Sequence, residues 1–293
     1  MSGVPQVGAF LLGAPKCGTT WLAEVLSQHP EICISDPKEP NIVASHKGTF
    51  GRDDSEPDWE AYTNCFNGDG LRIDCSVHAM ACPIAPSRVA NNWPDARLII
   101  CLREPVSRTV SHWNMVLDTN EDQENDSDWG VFEKAWADPR LSDDTLYGAA
   151  ISRWLEQFDC DSILLIEANR MRYNASEVLE DVCNHLSVSS HSFNFDLVKN
   201  ANTAADRRPI TVFGRLFQFS AGLLPDFIKA KIVRRLKFRG INVYNLPILS
   251  VKATSKRVIT DEQRALLAPE INADLALLEE SMGFDCTKWY IQS

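Results

Sequence analysis

The segment Phe10–Leu22, FLLGAPKCGTTWL, combines an apolar strand, a tight turn that contains a lysine, and the start of a helix. A buried strand followed directly by a helix is typical of a parallel sheet covered by helices, so the segment predicts an α/β fold. Its turn, residues 13–18, is called the Lys16 turn below. Such a turn presents backbone N–H groups and the positive end of a helix to an anion, which predicts a phosphate site.

The position of the lysine separates this turn from the loop of the nucleoside triphosphatases. That loop has the order G-x-x-x-x-G-K-[ST], with the lysine directly after the second glycine. Here Lys16 precedes Gly18, and the next position is Thr19. The order argues against ATP or GTP and favours another phosphate-bearing donor.

A second segment, Arg97–Trp113 (RLIICLREPVSRTVSHW), has a buried strand, an arginine at the strand end, and a helix opened by Pro105. The order G-x-x-K-x-G-T-T-x-L of the first segment resembles the 5′-phosphosulfate loop of the sulfotransferases that use 3′-phosphoadenosine 5′-phosphosulfate (PAPS). In that family an arginine at the strand end and a serine eight residues later hold the 3′-phosphate of the donor. Arg103 and Ser111 have this spacing.

The resemblance implies a set of donor-binding residues. They are Pro15, Lys16, Cys17, Gly18, Thr19, Thr20 and Trp21 at the 5′ end, Arg103 and Ser111 at the 3′-phosphate, and Arg207 and Arg208 in a loop that closes over the donor. Lys16 is also expected to be catalytic, because it can stabilise the charge that builds on the bridging oxygen. A sulfuryl group carries less charge than a phosphoryl group, so no metal is expected. For Cys17, a small residue that fits the turn is favoured over a reactive thiol.

Two residues are candidates for the base that takes the proton of the acceptor. The segment Pro37-Lys38-Glu39-Pro40 resembles the Lys-Glu segment of the glycan-type branch of the family, in which the glutamate is the base. His78 lies 25 residues before Arg103, close to the place of the catalytic histidine in the small-molecule branch. The sequence favours Glu39, because its context matches a motif whereas His78 matches only by spacing.

Other segments resemble the family less closely. Ser76 lies where the family has a serine after a strand, but it is followed by Val-His-Ala instead of the Pro-x-Tyr of glycan-type members. Glu104 stands where aspartate is more usual. Tyr147, ahead of Trp154 and Phe158, resembles the tyrosine of a family helix and is predicted to contact the acceptor. The absence of this aromatic residue after Ser76 favours a small-molecule acceptor over a glycan. The sequence does not decide between sulfation of an oxygen and sulfation of a nitrogen.

Composition limits the partners. The net charge of −11 argues against nucleic acid and against an electrostatic membrane binder. The sequence contains no apolar stretch long enough to span a membrane, so a soluble protein is expected. Nine cysteines, without a C-x-x-C pair, favour reduced thiols and a cytoplasmic location. The sequence does not indicate an oligomeric state.

Hydrophobic periodicity predicts one domain over residues 1–293, with a central parallel sheet flanked by helices. The resemblance implies that this sheet has the P-loop-like fold of the sulfotransferases. The predicted strands are Gln6–Leu12, Leu98–Leu102 and Ser162–Ile166, and the predicted helices are Thr19–Gln28, one from Val106, Ala149–Phe158, one around Val178–Leu186, and Thr260–Met282 with a break at Pro269. The acidic run Asp118–Asp128 is predicted to be a solvated loop or a lid edge. For the basic run Lys229–Arg239 a solvated helix face is favoured over a binding patch.

Three functions remain to be compared. A phosphoryl-transferring kinase of the P-loop type predicts a lysine directly after Gly18 and a metal-binding aspartate at a strand end, and neither is evident. A nucleotide-binding scaffold without activity predicts a degraded base site, yet Glu39 and His78 are both present. The sequence therefore favours an enzyme that moves a sulfuryl group from PAPS to a hydroxyl or amine.

Overall fold

A parallel sheet forms the centre of the protein. The computed structural model describes residues 3–198 and 257–292. Within these ranges five strands pair in parallel, in the order β2-β5-β1-β6-β7, and a hairpin of β3 and β4 is antiparallel. The strands are β1 Ala9–Gly13, β2 Ile32–Ile34, β3 His46–Lys47, β4 Gly51–Arg52, β5 Leu71–Asp74, β6 Arg97–Leu102 and β7 Ile163–Glu167.

Helices cover the sheet, as the alternation of strand and helix patterns predicts. In the described ranges they are α1 Thr19–Leu26, α2 Trp59–Thr63, α3 Ala85–Asn92, α4 Pro105–Thr119, α5 Glu121–Glu124, α6 Phe132–Trp136, α7 Pro139–Ser142, α8 Tyr147–Leu155, α9 Ala168–Tyr173, α10 Ala175–Leu186 and α11 Asp261–Met282. Every residue of β1 is buried, and so are all those of β6 except the first. Burial on both faces explains why these strands are uninterrupted apolar runs. The predicted α/β fold is confirmed.

The described residues fall into two compact units. The first contains residues 3–113, 128–198 and 259–292, and the second contains 114–127 and 257–258. All described residues of the candidate site belong to the first unit.

Part of the acidic run, predicted as a solvated loop or a lid edge, is helical: α4 extends to Thr119 and α5 follows it. The single domain over 1–293 stays a prediction.

The prediction of a break at Pro269 is wrong. Helix α11 continues through this residue, which is exposed to solvent. A proline inside a helix leaves one carbonyl without its N–H partner, and on an exposed face water can satisfy that carbonyl. The buried face of the helix, which includes Leu267, Ile271 and Leu275, holds it against the rest of the first unit.

Helices α8 and α11 are in close contact. A Cβ at Gly148 would lie 2.3 Å from the carbonyl oxygen of Asp274, so only glycine fits there. The carboxylate of Asp274 accepts hydrogen bonds of 2.8 Å from the N–H groups of Gly148 and Ala149. A side chain of α11 thus satisfies first-turn donors of α8. Farther along α8, the indole of Trp154 donates to the carbonyl of Met80 at 3.0 Å.

Two further sequence expectations concern the thiols and the membrane. All nine cysteines are free thiols in the structure, and all but Cys160 are buried. Across residues 3–198 and 257–292, no helix has both the length and the apolar character needed to cross a membrane.

Candidate active site

The predicted site residues follow the carboxyl ends of four strands of the sheet. Lys16 follows β1, Arg103 follows β6, His78 follows β5 and Glu39 follows β2. Strand β1 lies between β5 and β6, so the segments carrying Lys16, His78 and Arg103 leave neighbouring strands. The carboxyl ends of parallel strands share one edge, which is where α/β proteins bind ligands. The topology therefore brings these segments to one side of the molecule.

The Lys16 turn has a backbone that only certain residues adopt easily. Lys16 has a φ of 73° and Gly18 a φ of 88°, both in the left-handed region. A Cβ at Gly13 would lie 2.8 Å from the carbonyl oxygen of Val77, so the start of the turn packs directly against the residue before His78. The N–H of Met80 donates to the carbonyl of Leu12 at 3.0 Å and joins the two segments again.

Helix α1 begins at the end of this turn and has no cap of its own. Its N-cap residue is Gly18, which has no side chain to accept from the first-turn N–H groups, and no acidic residue lies in its first turn. The positive end of the helix dipole is thus not offset there by a carboxylate. With Lys16 in the same turn, this arrangement fits an anion such as a phosphate.

Trp21 lies in the first turn of α1 and is half-buried. Its ring stacks with that of Phe195, with centroids 6.1 Å apart and planes 20° from parallel. The two rings form an aromatic surface at the N-terminal end of α1. A planar base attached to a bound phosphate could lie against such a surface.

Arg103 directly follows β6, Ser111 lies on α4, and both residues are half-buried. Glu104 caps helix α4 between them: its carboxylate accepts from the N–H groups of Val106 at 2.9 Å and Ser107 at 2.7 Å. Glu104 therefore caps the helix, which is a role that aspartate commonly has. Ser111 lies one turn after Ser107 on the same helix.

Tyr147 and Cys17 lie beneath these two segments. Both are fully buried, and the hydroxyl of Tyr147 donates to the carbonyl of Arg103 at 2.9 Å. The Sγ of Cys17 lies 3.8 Å from the same hydroxyl. Burial raises the pKa of Cys17 to about 11, which makes a reactive thiolate unfavourable and agrees with a packing role. Tyr147 supports the backbone at Arg103, and its contact with an acceptor stays a prediction.

Glu39 lies on a segment that is joined to Ser76, two residues before His78, by a hydrogen bond from the N–H of Asn41. Its carboxylate is 2.6 Å from the Nζ of Lys38, and about a third of its side chain is exposed. The backbone carbonyl of Glu39 accepts from the side chain of Asn41 at 3.3 Å, and the N–H of Asn41 donates to the hydroxyl of Ser76 at 3.0 Å. The two candidate bases thus belong to segments in direct contact.

A buried polar cluster adjoins these segments, and the sequence analysis identified only its member His78. It consists of His78, Arg108, His112 and Asp144 and is called the Asp144 cluster below. Within it the Asp144 carboxylate lies 3.3 Å from Nδ1 of His78, 3.4 Å from Nη2 of Arg108 and 3.7 Å from Nδ1 of His112. Burial alone would raise the pKa of Asp144, but the facing His78 and the Arg108 guanidinium hold it well below its usual value.

The hydrogen bonds of His112 define its tautomer. Arg108 can only donate, and its Nη2 contacts Nδ1 of His112, so that nitrogen carries no hydrogen. Nε2 then donates to the hydroxyl of Thr49 at 2.9 Å. Burial and the Arg108 guanidinium hold the pKa of His112 well below its usual value, so the ring is neutral. Arg108 is therefore the permanent cation beside Asp144.

Arg108 also joins helix α4 to the Lys16 turn. Its Nε donates to the carbonyl of Pro15 at 3.1 Å, and its Nη1 donates to the carbonyl of Leu141 at 3.0 Å and to the hydroxyl of Thr145 at 2.6 Å. The side chain is fully buried. Arg108 and His112 are four residues apart on a predicted helix and therefore share one face of it. This spacing is the signal in the sequence that could have identified the pair.

Arg207 and Arg208, predicted to contact the donor, lie outside the described residues, and so does the basic run Lys229–Arg239. Of the remaining donor-binding predictions, Thr19 is buried and Thr20 is half-buried, both in the first turn of α1. The roles of all these residues stay predictions.

Sulfotransferases are among the known proteins that are similar to this chain. Curated relatives include heparan sulfate glucosamine 3-O-sulfotransferase 3B1 of Mus musculus, 24% identical over 177 residues that cover 57% of this chain and 42% of the relative. Another is the bifunctional heparan sulfate N-deacetylase/N-sulfotransferase 4 of Mus musculus, 28% identical over 204 residues, 62% of this chain and 22% of the relative. The chain thus spans less than half the length of these two relatives.

A solved structure and a family match extend the comparison. A sulfotransferase from Alicyclobacillus acidocaldarius superimposes with a TM-score of 0.63 over 98% of this chain and 99% of the other, at 20% sequence identity, and so shares the fold. The sulfotransferase domain family matches residues 8–205, which include the Lys16 turn, Arg103, Ser111 and the Asp144 cluster. This is well over half of the chain, so the chain belongs to the family of PAPS-dependent sulfotransferases, as the sequence predicts.

Proposed function

We propose that this protein transfers a sulfuryl group from PAPS to a hydroxyl or amine group of an acceptor. The observation that carries the proposal is the position of the Lys16 turn. It ends the central strand β1, between the strands that lead to His78 and to Arg103. An anion site, a candidate base and a second basic group thus leave three adjacent strands.

In this proposal the donor is held at both of its phosphate groups. The first-turn N–H groups of α1 and Lys16 bind the phosphosulfate, and Arg103 with Ser111 binds the 3′-phosphate. Trp21 provides a surface for the adenine. The uncapped end of α1 supports this use of the turn, because no side chain caps its first-turn N–H groups.

The reaction that these residues promote is a single displacement at sulfur. The acceptor attacks sulfur with a lone pair while the bond from sulfur to the bridging oxygen breaks, and that electron pair stays on the bridging oxygen of adenosine 3′,5′-bisphosphate. Lys16 stabilises the negative charge that develops there. A base on the protein takes the acceptor proton, and Glu39 and His78 are the two candidates for that base.

For the acceptor we propose a small metabolite with a free hydroxyl or amine. The net charge of −11 opposes binding of a polyanionic chain, and the Val-His-Ala that follows Ser76 lacks the aromatic residue of glycan-type members. The curated relatives are named for heparan sulfate, so a heparan-like chain is the competing acceptor.

Two measurements test the proposal. In a thermal-shift series with ATP, GTP, adenosine 3′,5′-bisphosphate and PAPS, only the last two should raise the melting temperature. Stabilisation by ATP with magnesium, and none by the bisphosphate, would instead favour a kinase.

Transfer of labelled sulfate from PAPS is then measured on small alcohols, phenols and amines and on heparan-like and chondroitin-like chains. Labelling of the small acceptors supports the proposal. Labelling of the polysaccharides alone overturns the acceptor class but not the reaction, and no labelling despite tight binding of the bisphosphate favours a scaffold.

A further inference from the structure

His78 and Asp144 form a buried contact, and neither residue is one of the predicted donor-binding residues. Nδ1 of His78 lies 3.3 Å from the carboxylate of Asp144, and the two residues are 8% and 3% exposed. We propose that Asp144 is a positioning residue that directs Nδ1–H of His78 toward itself and so leaves Nε2 as the base of the reaction. The proposal rests on the sulfuryl transfer proposed above and assigns its base to His78 instead of Glu39.

The protonation of the pair follows from the charges around it. His78 and the permanently charged Arg108 keep the pKa of Asp144 low despite its burial, so the carboxylate is ionised and can only accept hydrogen bonds. The ring nitrogen that faces it, Nδ1 of His78, must therefore carry a hydrogen. In the neutral ring the lone pair is then on Nε2.

Nε2 of His78 is available for a substrate. Across residues 3–198 and 257–292, no protein group forms a hydrogen bond with it. The 3.3 Å contact from Nδ1 to Asp144 is not a well-aligned hydrogen bond, and hydrogen bonds at catalytic sites are often long or poorly aligned before the substrate binds. A ring that is held on one nitrogen and open on the other has the arrangement of a base with an orienting carboxylate.

The position of His78 relative to the Lys16 turn is set from two sides. On one side, Gly13 packs against Val77, which directly precedes His78. On the other side, Arg108 contacts both the Asp144 carboxylate and the carbonyl of Pro15. The cluster thus holds the base at a fixed position beside the residues that bind the donor.

Charged and titratable groups on three elements surround His78. Arg108 and His112 of α4 face it through Asp144, and His46 of β3 lies near the same carboxylate. Asp144 is the carboxylate that faces His78, and it also faces the Arg108 guanidinium. Glu39 differs, since it is paired with Lys38 at 2.6 Å and more exposed than Asp144.

The step balances as follows in atoms and charge. The acceptor oxygen or nitrogen forms its bond to sulfur, the bond from sulfur to the bridging oxygen breaks, and the acceptor proton moves to Nε2 of His78. The imidazolium is stabilised by Asp144 until the proton leaves to solvent. Asp144 itself stays ionised and transfers no proton.

The first test is made on the wild-type protein and does not depend on activity. Nitrogen-15 labelled histidine reports in two-bond proton correlation spectra which ring nitrogen carries the hydrogen, and the signals of His78 are those lost in His78→Ala. The proposal expects the neutral ring to carry its hydrogen on Nδ1. A hydrogen on Nε2 overturns it, whether or not the protein transfers sulfate.

The second test is a double-mutant cycle on kcat, with the KM for PAPS measured in parallel. His78→Ala should lower kcat about 100-fold or more. Asp144→Asn should lower it about 10-fold or more in the wild type and have no further effect in His78→Ala, because Asp144 acts through His78. The KM for PAPS should stay within about threefold throughout.

Two results contradict the proposal. An equal loss from Asp144→Asn in both backgrounds would indicate a merely structural role. Near-full turnover of His78→Ala together with loss in Glu39→Gln would return the base to Glu39. If Asp144→Asn does not fold, Asp144→Glu keeps the negative charge and should retain more activity than His78→Ala. The tautomer of the wild-type ring then still decides the orientation.

Discussion

The Nε of Arg108 donates a hydrogen bond of 3.1 Å to the carbonyl of Pro15 and thereby joins helix α4 to the Lys16 turn. The same guanidinium contacts Asp144 at 3.4 Å, so one buried cation serves both the turn and the partner of His78. A mutation at Arg108 therefore removes support from both at once. It also leaves Asp144 without its permanent counter-charge.

The first prediction concerns this cation. Arg108→Met should lower the free energy of unfolding by about 3–5 kcal/mol, because removal of one partner leaves a buried, uncompensated charge. Urea unfolding measures the change. The matched control is Arg170→Met, since Arg170 forms an exposed pair with Asp181 and its loss should stay within about 0.5 kcal/mol. A loss at Arg108 as small as that of the control would contradict the prediction.

The second prediction concerns the donor end of the reaction. Lys16→Ala should lower kcat about 100- to 1,000-fold, because the lysine stabilises charge on the departing oxygen. Steady-state kinetics with saturating PAPS check this. Lys134→Ala is the control, since Lys134 pairs with Asp128 on the surface. Cys17→Ser should keep most of the activity, because the buried thiol packs beneath the turn without entering the chemistry. Turnover of Lys16→Ala within threefold of the wild type would sink this assignment.

The third prediction separates the two phosphates of the donor. Arg103→Ala and Ser111→Ala should weaken binding of adenosine 3′,5′-bisphosphate much more than binding of AMP, because charge-assisted bonds to the 3′-phosphate are lost while the 5′ site remains. Calorimetry with both nucleotides measures the difference. Equal losses for the two nucleotides would show that these residues do not distinguish the 3′-phosphate.

The parts of the fold and of the candidate site that depend on local sequence motifs could be predicted from the sequence. The Lys16 turn and the Arg103 segment are each continuous in sequence, and the rule that parallel strands end at one edge brings them together. Asp144 could not be predicted, because it lies between helices α7 and α8, and only the packing of those helices against α4 brings it near His78. The break at Pro269 was predicted from a local rule that packing of the opposite helix face overrides.

The last prediction is a pH dependence that arises at His46. Burial and the nearby Arg52 guanidinium lower the pKa of His46 from 6.5 to about 4. Between these two values the unfolded chain binds a proton that the folded protein does not, so the free energy of unfolding falls as the pH falls through this range. Each such group contributes at most about 1.4 kcal/mol per pH unit. His112 acts in the same direction, because its pKa is also lowered by burial and by Arg108.

The contribution of His46 is isolated by His46→Gln. Urea unfolding of both proteins from pH 8 to pH 4 should give a stability difference that is constant above about pH 7 and then shifts in favour of the variant as the pH falls. The difference at pH 8, where the imidazole is uncharged in both states, accounts for altered packing. A difference that does not vary with pH would mean that the folded protein accepts a proton at His46 as readily as the unfolded chain does, and the opposite shift would mean that it does so more readily.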